Sequence, residues 1–193
     1  MEKIEKEIKL VVVDAEKLIN LLKLNGAKLL NKSKERTIRL DTENGDLENK
    51  GVFLRVRSGS KNTITMKEKI GDDVEVRARK ETEFEIGDVE NMAYILKKLG
   101  FSKEKIMEMY RVNYEYKGAV LSIDELSFGL FLEIEGTEEQ IIEIASELGY
   151  KVEDKILVTY WDLFEEFKTK NNLVLDNIEF SVGFESKLMK IIG

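Results

Sequence analysis

Acidic and basic side chains recur at every second position along much of this chain, and that spacing decides what chemistry it offers. In an extended segment alternate residues share a face. Glu5, Glu7 and Lys9 therefore fall together, opposite Ile4, Ile8, Leu10 and Val12. Arg55 and Arg57 alternate with Leu54 and Val56, and Thr63, Thr65, Lys67 and Lys69 oppose Ile64, Met66 and Ile70. Arg77, Arg79, Glu81 and Glu83 share one parity; Ser122 and Asp124 oppose Leu121 and Ile123; Glu133 and Glu135 oppose Leu132 and Ile134. For any single strand the plain explanation is a solvated face carrying charge for solubility. Several such strands together, with arginine favoured at Arg39, Arg55, Arg57, Arg77, Arg79 and Arg111, point further. A guanidinium grips phosphate or carboxylate oxygens two at a time, which solubility does not require. If the strands curl into a barrel, the charged faces become the wall of a lumen suited to a polyanion. Glu5, Glu7, Glu133 and Glu135 would then offer hard oxygen ligands for Mg²⁺ or Mn²⁺.

What the chain lacks narrows the chemistry. It contains no histidine and no cysteine, so His- or Cys-based zinc sites, His-driven triads, Cys nucleophiles and disulfides are excluded. With 193 residues, 42% of them apolar and 36% charged, it suits one domain with one core rather than a disordered or membrane chain. No run of 18 apolar residues occurs, and residues 1–9 alternate charges where a signal peptide needs an apolar stretch, so a cytoplasmic location is expected. A net charge of −7 argues against nucleic acid as a partner, because that binding needs a positive excess.

The elements that would position these groups can be read from period and caps. Asp14 caps a helix over 15–25, Asp88 caps one over 89–99, and Thr137 with Gln140 has the spacing of a capping box before Ile141. A fourth short helix starts after Thr159 and carries Trp161, Leu163, Phe164 and Phe167. Strands are expected at about 3–13, 27–41, 51–59, 62–70, 73–86, 104–116, 119–126 and 129–136, with weaker ones near 154–158 and within 173–182. Short connections at Gly59-Ser60, Gly71-Asp72-Asp73 and Lys117-Gly118 favour antiparallel neighbours. The expectation is an α+β fold: a closed or nearly closed antiparallel β-barrel of about eight strands, with helices on its outside.

Glu5-Lys6-Glu7-Ile8-Lys9 resembles the E-x-E-x-K opening motif of the CYTH superfamily, the triphosphate tunnel metalloenzymes. The resemblance runs over about residues 3–165 and continues through Arg39-Leu40-Asp41-Thr42, Leu54-Arg55-Val56-Arg57, Thr63-Ile64-Thr65-Met66-Lys67, Arg79-Lys80-Glu81-Thr82-Glu83, Ser122-Ile123-Asp124 and Gly129 to Glu135. Glu81 to Ile86, Leu99-Gly100-Phe101 and Tyr160 to Phe164 look most like the class IV adenylate cyclase branch. The chain departs from the family at Met109-Tyr110-Arg111, where Lys-x-Arg is common, and at Thr42, where an aromatic is common. The resemblance implies a tunnel domain over 1–168, with 169–193 a C-terminal extension of the same domain. It implies Glu5, Glu7, Glu133, Glu135 and Asp124 as ligands of Mg²⁺ or Mn²⁺ or their supports. It also implies Lys9, Arg55, Arg57, Lys67, Arg79 and Arg111 as phosphate contacts, with Lys69, Arg39 and Arg77 as further candidates. Glu81 and Glu83 would orient the bases. The implied substrate is a small-molecule triphosphate: ATP converted to cyclic AMP and pyrophosphate, or inorganic triphosphate, thiamine triphosphate or a nucleoside triphosphate hydrolysed, with a metal-bound hydroxide or Lys9 as candidate proton acceptor; a non-catalytic polyphosphate- or nucleotide-binding module and a plain scaffold with a charged sheet are the other readings. Neither a nucleic acid nor a membrane partner is expected, and apolar positions in the tail leave a homodimer open.

Overall fold

The computed structural model describes residues 2–71 and 75–193. Eight strands, β1 (Glu2–Val11), β2 (Lys28–Asp41), β3 (Val52–Ser58), β4 (Thr63–Lys69), β5 (Arg77–Glu85), β6 (Lys103–Tyr116), β7 (Ala119–Leu126) and β8 (Gly129–Glu135), close into a barrel. The order around it is β1-β5-β4-β3-β2-β6-β7-β8, and every neighbouring pair is antiparallel. β2 to β5 and β6 to β8 lie side by side in chain order, and the 14-residue β2 and β6 join the two runs along the ladder from Lys28↔Glu115 to Asp41↔Lys103. β1 closes the gap between β5 and β8. The predicted turn through Asp72 and Asp73, with the start of the strand at 73, lies outside the described residues.

Closure turns the pattern inside out, because the apolar parity now faces outward and must be covered. Helices α1 (Ala15–Leu24) and α4 (Glu138–Glu147) do this on one side, packing Leu18, Ile19, Leu22, Ile141 and Ile144 against Ile8, Leu10, Val112, Leu121, Ile123, Leu132 and Ile134. Each fully buried aliphatic side chain contributes about 1.5–3 kcal/mol. Helix α3 (Val89–Lys98) covers another side with Val89, Ala93 and Leu96 over Ile38, Leu40, Leu54 and Val56. Helix α5 (Tyr160–Asn171) brings Tyr160, Trp161 and Phe164 onto Met107, Met109, Leu126 and Phe131. The cap residues are those read from the sequence: Asp14 accepts from the Lys17 amide at 2.9 Å, Asp88 from Asn91 at 2.7 Å, and Thr137 with Gln140 forms the capping box. Thr159 and Asp162 form a second box at the start of α5. No helix among the described residues is long and apolar enough to cross a membrane.

Two predicted strands are not strands. Near 154–158 only Ile156 pairs, with Lys9, and within 173–182 only Ile178 pairs, with Met107. Both cover places where a barrel strand outruns its neighbour. β1 pairs with β5 only through Glu7, which bares the Lys9 edge, and β6 pairs with β7 only from Tyr110, which bares Met107. A single bridge satisfies each bare edge. At the second edge Asn177 Oδ1 takes the Ile106 amide at 2.9 Å and the Glu108 carboxylate accepts from the Phe180 amide, so side chains replace the ladder.

Three short helices escaped the sequence reading. α2 (Asp46–Asn49) is held by the Asp41 carboxylate, which accepts from the Thr42, Leu47 and Glu48 amides at 2.7–3.0 Å. A 3₁₀ turn spans Val152–Asp154, and α6 (Lys187–Ile192) follows Ser186. α6 docks on β7 through Glu125, only 4% exposed, which accepts from the Ser186 hydroxyl and from the Lys187 and Leu188 amides at 3.1 Å. Leu188 completes the apolar layer over β6 and β7. The Glu125→Ala variant leaves those donors buried and unanswered, which costs about 1–3 kcal/mol. The expected result is a lower urea midpoint with faster amide exchange across 176–193; unchanged exchange there would show that Glu125 does not hold the tail.

Candidate functional site

The lumen encloses a cavity of about 330 Å³. Its wall is built from the charged parity of the strands: Lys3, Glu5, Glu7 and Lys9 from β1, Arg55 and Arg57 from β3, Lys67 from β4, Arg77, Glu81 and Glu83 from β5, Arg111 from β6, and Glu133 and Glu135 from β8. Among the described residues this makes seven bases and six acids around one space. Such density is tolerable only if opposite charges meet. Lys9 Nζ lies 2.8 Å from Glu133 and 4.4 Å above the Tyr160 ring. Lys67 bridges Glu5 and, at 2.9 Å, Glu81. Arg77 holds Glu7 at 2.9 Å, and Lys3 holds Glu135 at 2.8 Å. Arg111 is gripped by both Asp124 oxygens and reaches Glu133 at 2.7 Å.

Arg55 breaks the rule. No carboxylate among the described residues pairs with it, and its Nε is buried without a hydrogen bond. Burial and the neighbouring Arg57 push its guanidinium down to about 10. It remains charged at neutral pH, a cation in the wall that Glu81 and Glu5 favour from a distance without a direct ion pair. The acids respond to the same field. Burial alone would raise Glu133, but Lys9 and Arg111 override it and hold the carboxyl well below the usual range. Glu81 is likewise lowered, Lys67 and Arg55 outweighing its burial. Glu135 moves the other way: burial raises it, and Glu5 adds to the rise against the pull of Lys3.

Of the predicted site residues, Glu5, Glu7, Lys9, Arg55, Arg57, Lys67, Arg77, Arg111, Glu133 and Glu135 line this cavity. Arg39, Lys69 and Arg79 do not line it. Arg39 turns to Glu48 at 3.0 Å and lies 5.1 Å over the Phe53 ring, in a smaller hollow with Lys103 and Lys105. Lys69 is exposed, and the Arg79 guanidinium donates to the Ala78 carbonyl at 2.7 Å. Asp124 is fully buried behind the wall, its oxygens taken by Arg111 and, at 2.7 Å, by the Tyr160 hydroxyl. Its observed task is to set the Arg111 fork.

For a divalent cation the donor chemistry fits. Glu7 stands opposite Glu135 across β1 and β8, Glu5 is close enough to raise Glu135, and all three present hard oxygens. Among the described residues no three acids already form a coordination cage, since a base engages each one.

Sequence reasoning missed Glu35, which is buried and receives Arg57 at 3.2 Å. Its signal was available, since Glu35 shares parity with Arg39 and stands two residues before Thr37, the partner of Arg57 in the ladder. It also missed the polar chain Asn31–Asn113–Ser122, linked at 2.9 and 2.7 Å, and the roles of Phe53, Tyr160 and Trp161 in the wall.

Comparison with known proteins places this geometry among relatives. The sequence model of the CYTH domain matches residues 3–160. MJ0240 of Methanocaldococcus jannaschii, described as a candidate adenylate cyclase, is 29% identical over 173 residues, which is 89% of this chain and 94% of that protein. The structure of a conserved hypothetical protein from Pyrococcus furiosus superposes with a TM-score of 0.71 at 27% identity, covering 82% of this chain and 99% of that one. HpAC1 of Hippeastrum, named an adenylyl cyclase candidate and described as having a dominant triphosphatase activity, shares the fold with a TM-score of 0.59 at 19% identity, over 86% and 96% of the two chains.

The depressed Glu133 carboxyl has a pH signature. A group whose folded pKa lies below its unfolded value of about 4.3 stabilises the fold above that pH and loses its contribution as the pH falls. The stability difference between wild type and Glu133→Gln, measured by urea unfolding, should therefore shrink as the pH is lowered from about 6 to about 3. A difference that stays constant over that interval would show that Glu133 is not held by Lys9 and Arg111.

Proposed function

Because the chain belongs to the CYTH domain family, we propose that it is a divalent-metal-dependent enzyme acting on a triphosphate in the barrel lumen, with a class IV adenylate cyclase-like reaction converting ATP to cyclic AMP and pyrophosphate. The observation that carries the reading is Arg55: among the described residues no carboxylate forms an ion pair with it and its Nε is buried without a hydrogen bond, in a wall where the other bases are paired. Lys67 and Arg77 stand around the same space, each holding a wall carboxylate that a phosphate oxygen can replace, and Arg57 and Arg111 are fixed beside them by Glu35 and Asp124. With bases and acids nearly balanced, a polyanion alone would meet six carboxylates, so its charge calls for accompanying cations.

Glu5, Glu7 and Glu135 would hold Mg²⁺ or Mn²⁺, with Glu133 beside them, and the metal when bound supplies charge neutralisation and polarisation of a phosphoryl oxygen. The chain's own residues bind and orient. Arg55, Arg57, Lys67 and Arg111 fix the phosphates, so that the ribose 3′-hydroxyl can attack in line at the α-phosphate, its proton passing to solvent water, while the β- and γ-phosphates leave as pyrophosphate. Asp124 and Glu35 hold Arg111 and Arg57 in their aim. Lys9, engaged by Glu133 and the Tyr160 face, contributes a fixed positive charge, and we assign it to binding rather than to proton transfer. No side-chain nucleophile is needed. Hydrolysis is the second reading, favoured by the activity ascribed to HpAC1; the same grip would serve attack by water.

Incubating the protein with ATP or inorganic triphosphate and Mg²⁺ or Mn²⁺, then identifying products, tests these readings. Cyclic AMP with pyrophosphate supports the cyclase, orthophosphate release supports the triphosphatase, and binding without products leaves a polyphosphate-binding module. Glu5→Gln and Glu7→Gln should each abolish metal-dependent turnover while the circular dichroism spectrum is kept; full activity in both would remove their metal role. Arg55→Met should weaken triphosphate binding about tenfold or more, the worth of a charge-assisted hydrogen bond, while orthophosphate binding changes little. Equal losses for both ligands would contradict the assignment.

A further inference from the structure

Arg57 is aimed by Glu35 from within the barrel, whereas the aim of Arg111 depends on a residue brought by a helix from outside it. The fully buried Asp124 carboxylate takes three donors: Arg111 Nε at 2.6 Å, Arg111 Nη2, and the Tyr160 hydroxyl at 2.7 Å. Arg111 Nη2 also reaches Glu133 Oε2 at 2.7 Å, and the other oxygen of Glu133 lies 2.8 Å from Lys9 Nζ. Lys9 in turn stands 4.4 Å from the centroid of the Tyr160 ring. The contacts close a circuit through Tyr160, Asp124, Arg111, Glu133 and Lys9 that starts at the hydroxyl of one side chain and returns to its face. Among the described residues the partners of Arg111 engage Nε and Nη2, which leaves Nη1 as the part of the fork open to a ligand.

Tyr160 is itself held from several sides. Four residues before it, Ile156 exchanges both backbone hydrogen bonds with Lys9, at 3.2 and 2.8 Å, so the chain entering α5 is tied to β1 at the same lysine. The capping box of Thr159 and Asp162 fixes the first turn of α5, and the Phe131 ring packs 5.2 Å from that of Tyr160. A side chain locked in this way can lock others.

We infer that Tyr160 is a positioning residue for the triphosphate grip: its hydroxyl sets Arg111 through Asp124 and its ring face sets Lys9, so that α5 fixes two of the cations facing the phosphates. The inference rests on the proposed triphosphate site and adds the outside helix on which that site depends. Without the tyrosine donor the Asp124 carboxylate loses one of the three bonds that fix its plane, and the fork it carries can turn with it. Coupling of this kind is reciprocal, so an anion that draws on Arg111 also favours the seated form of α5.

Calorimetry of the intact protein with inorganic triphosphate in Mg²⁺ tests this. Tyr160→Phe keeps the ring over Lys9 and removes only the hydroxyl; it should weaken triphosphate about tenfold, and that loss should largely disappear in an Arg111→Lys background, which keeps a charge for Asp124 but has no fork to aim. Tyr160→Leu, which removes the ring face as well, should cost more than Tyr160→Phe, and equal costs would overturn the part assigned to Lys9. A hydroxyl that touches the ligand itself predicts the same loss in both backgrounds, and one that only supports the fold predicts no loss of affinity. Either result would overturn the inference while leaving the triphosphate site standing. Should the variants fail to fold, the wild type answers alone: saturating triphosphate should slow amide exchange over 160–171 more than over 89–98, a helix that contributes no side chain to the lumen, and equal slowing would contradict the coupling. If the wild type binds no triphosphate, the proposed function falls and this inference with it.

Discussion

A barrel can close around ionisable side chains only if almost every charge finds an opposite within reach, because stripping water from an unpaired ion costs several kcal/mol. That constraint organises this molecule. It explains why acids and bases alternate on the inward parity of nearly every strand, and why the residues behind the wall are also charged. Glu35 and Asp124 touch no open space, yet each fixes the fork of an arginine that does. Against that near-complete pairing, the guanidinium of Arg55 is informative: among the described residues no carboxylate forms an ion pair with it, and its Nε is buried without a hydrogen bond.

The same inversion dictates the outside. With charges inside, the aliphatic parity needs a cover, and α1, α4 and α6 share one side while α3 takes another. α5 belongs to both worlds. Its Phe164 packs with Phe128 and Leu126 in an ordinary apolar cluster, while Tyr160 reaches through to Asp124 and so links the end of the tunnel to the grip of Arg111. The C-terminal segment completes the barrel's edges rather than forming a separate unit, since Ile178 closes the bare stretch of β6 and Glu125 anchors Ser186.

Much of this was legible in the sequence because strand period and charge parity are local. Glu5, Glu7 and Lys9 reveal their shared face from spacing alone, as do Arg55 with Arg57 and Glu133 with Glu135, and the caps at Asp14, Asp88 and Thr137 needed only nearest neighbours. What escaped depends on shear and on distant partners. Arg39 has the right parity and stands opposite Arg55, but its guanidinium turns to Glu48 and the Phe53 ring, and Lys69 lies exposed at the end of β4. Asp124 has the right parity too, yet Tyr160, 36 residues away, closes over it. The runs at 154–158 and 173–182 carry strand-like residues, but each meets a barrel edge bare for only one bridge. No local pattern records where a neighbouring strand stops.

The central claim is that the lumen is built to receive a polyphosphate at Arg55. A crystal structure of the protein grown with inorganic triphosphate and Mn²⁺, with the metal located by its anomalous signal, tests it most directly. The account predicts phosphate oxygens within hydrogen-bonding distance of the Arg55 guanidinium, Lys67 and Arg77 drawn from their carboxylates toward the anion, and manganese beside Glu5, Glu7 and Glu135. A lumen that stays free of anion at saturating triphosphate, with the ion pairs of Lys67 and Arg77 intact, would contradict it.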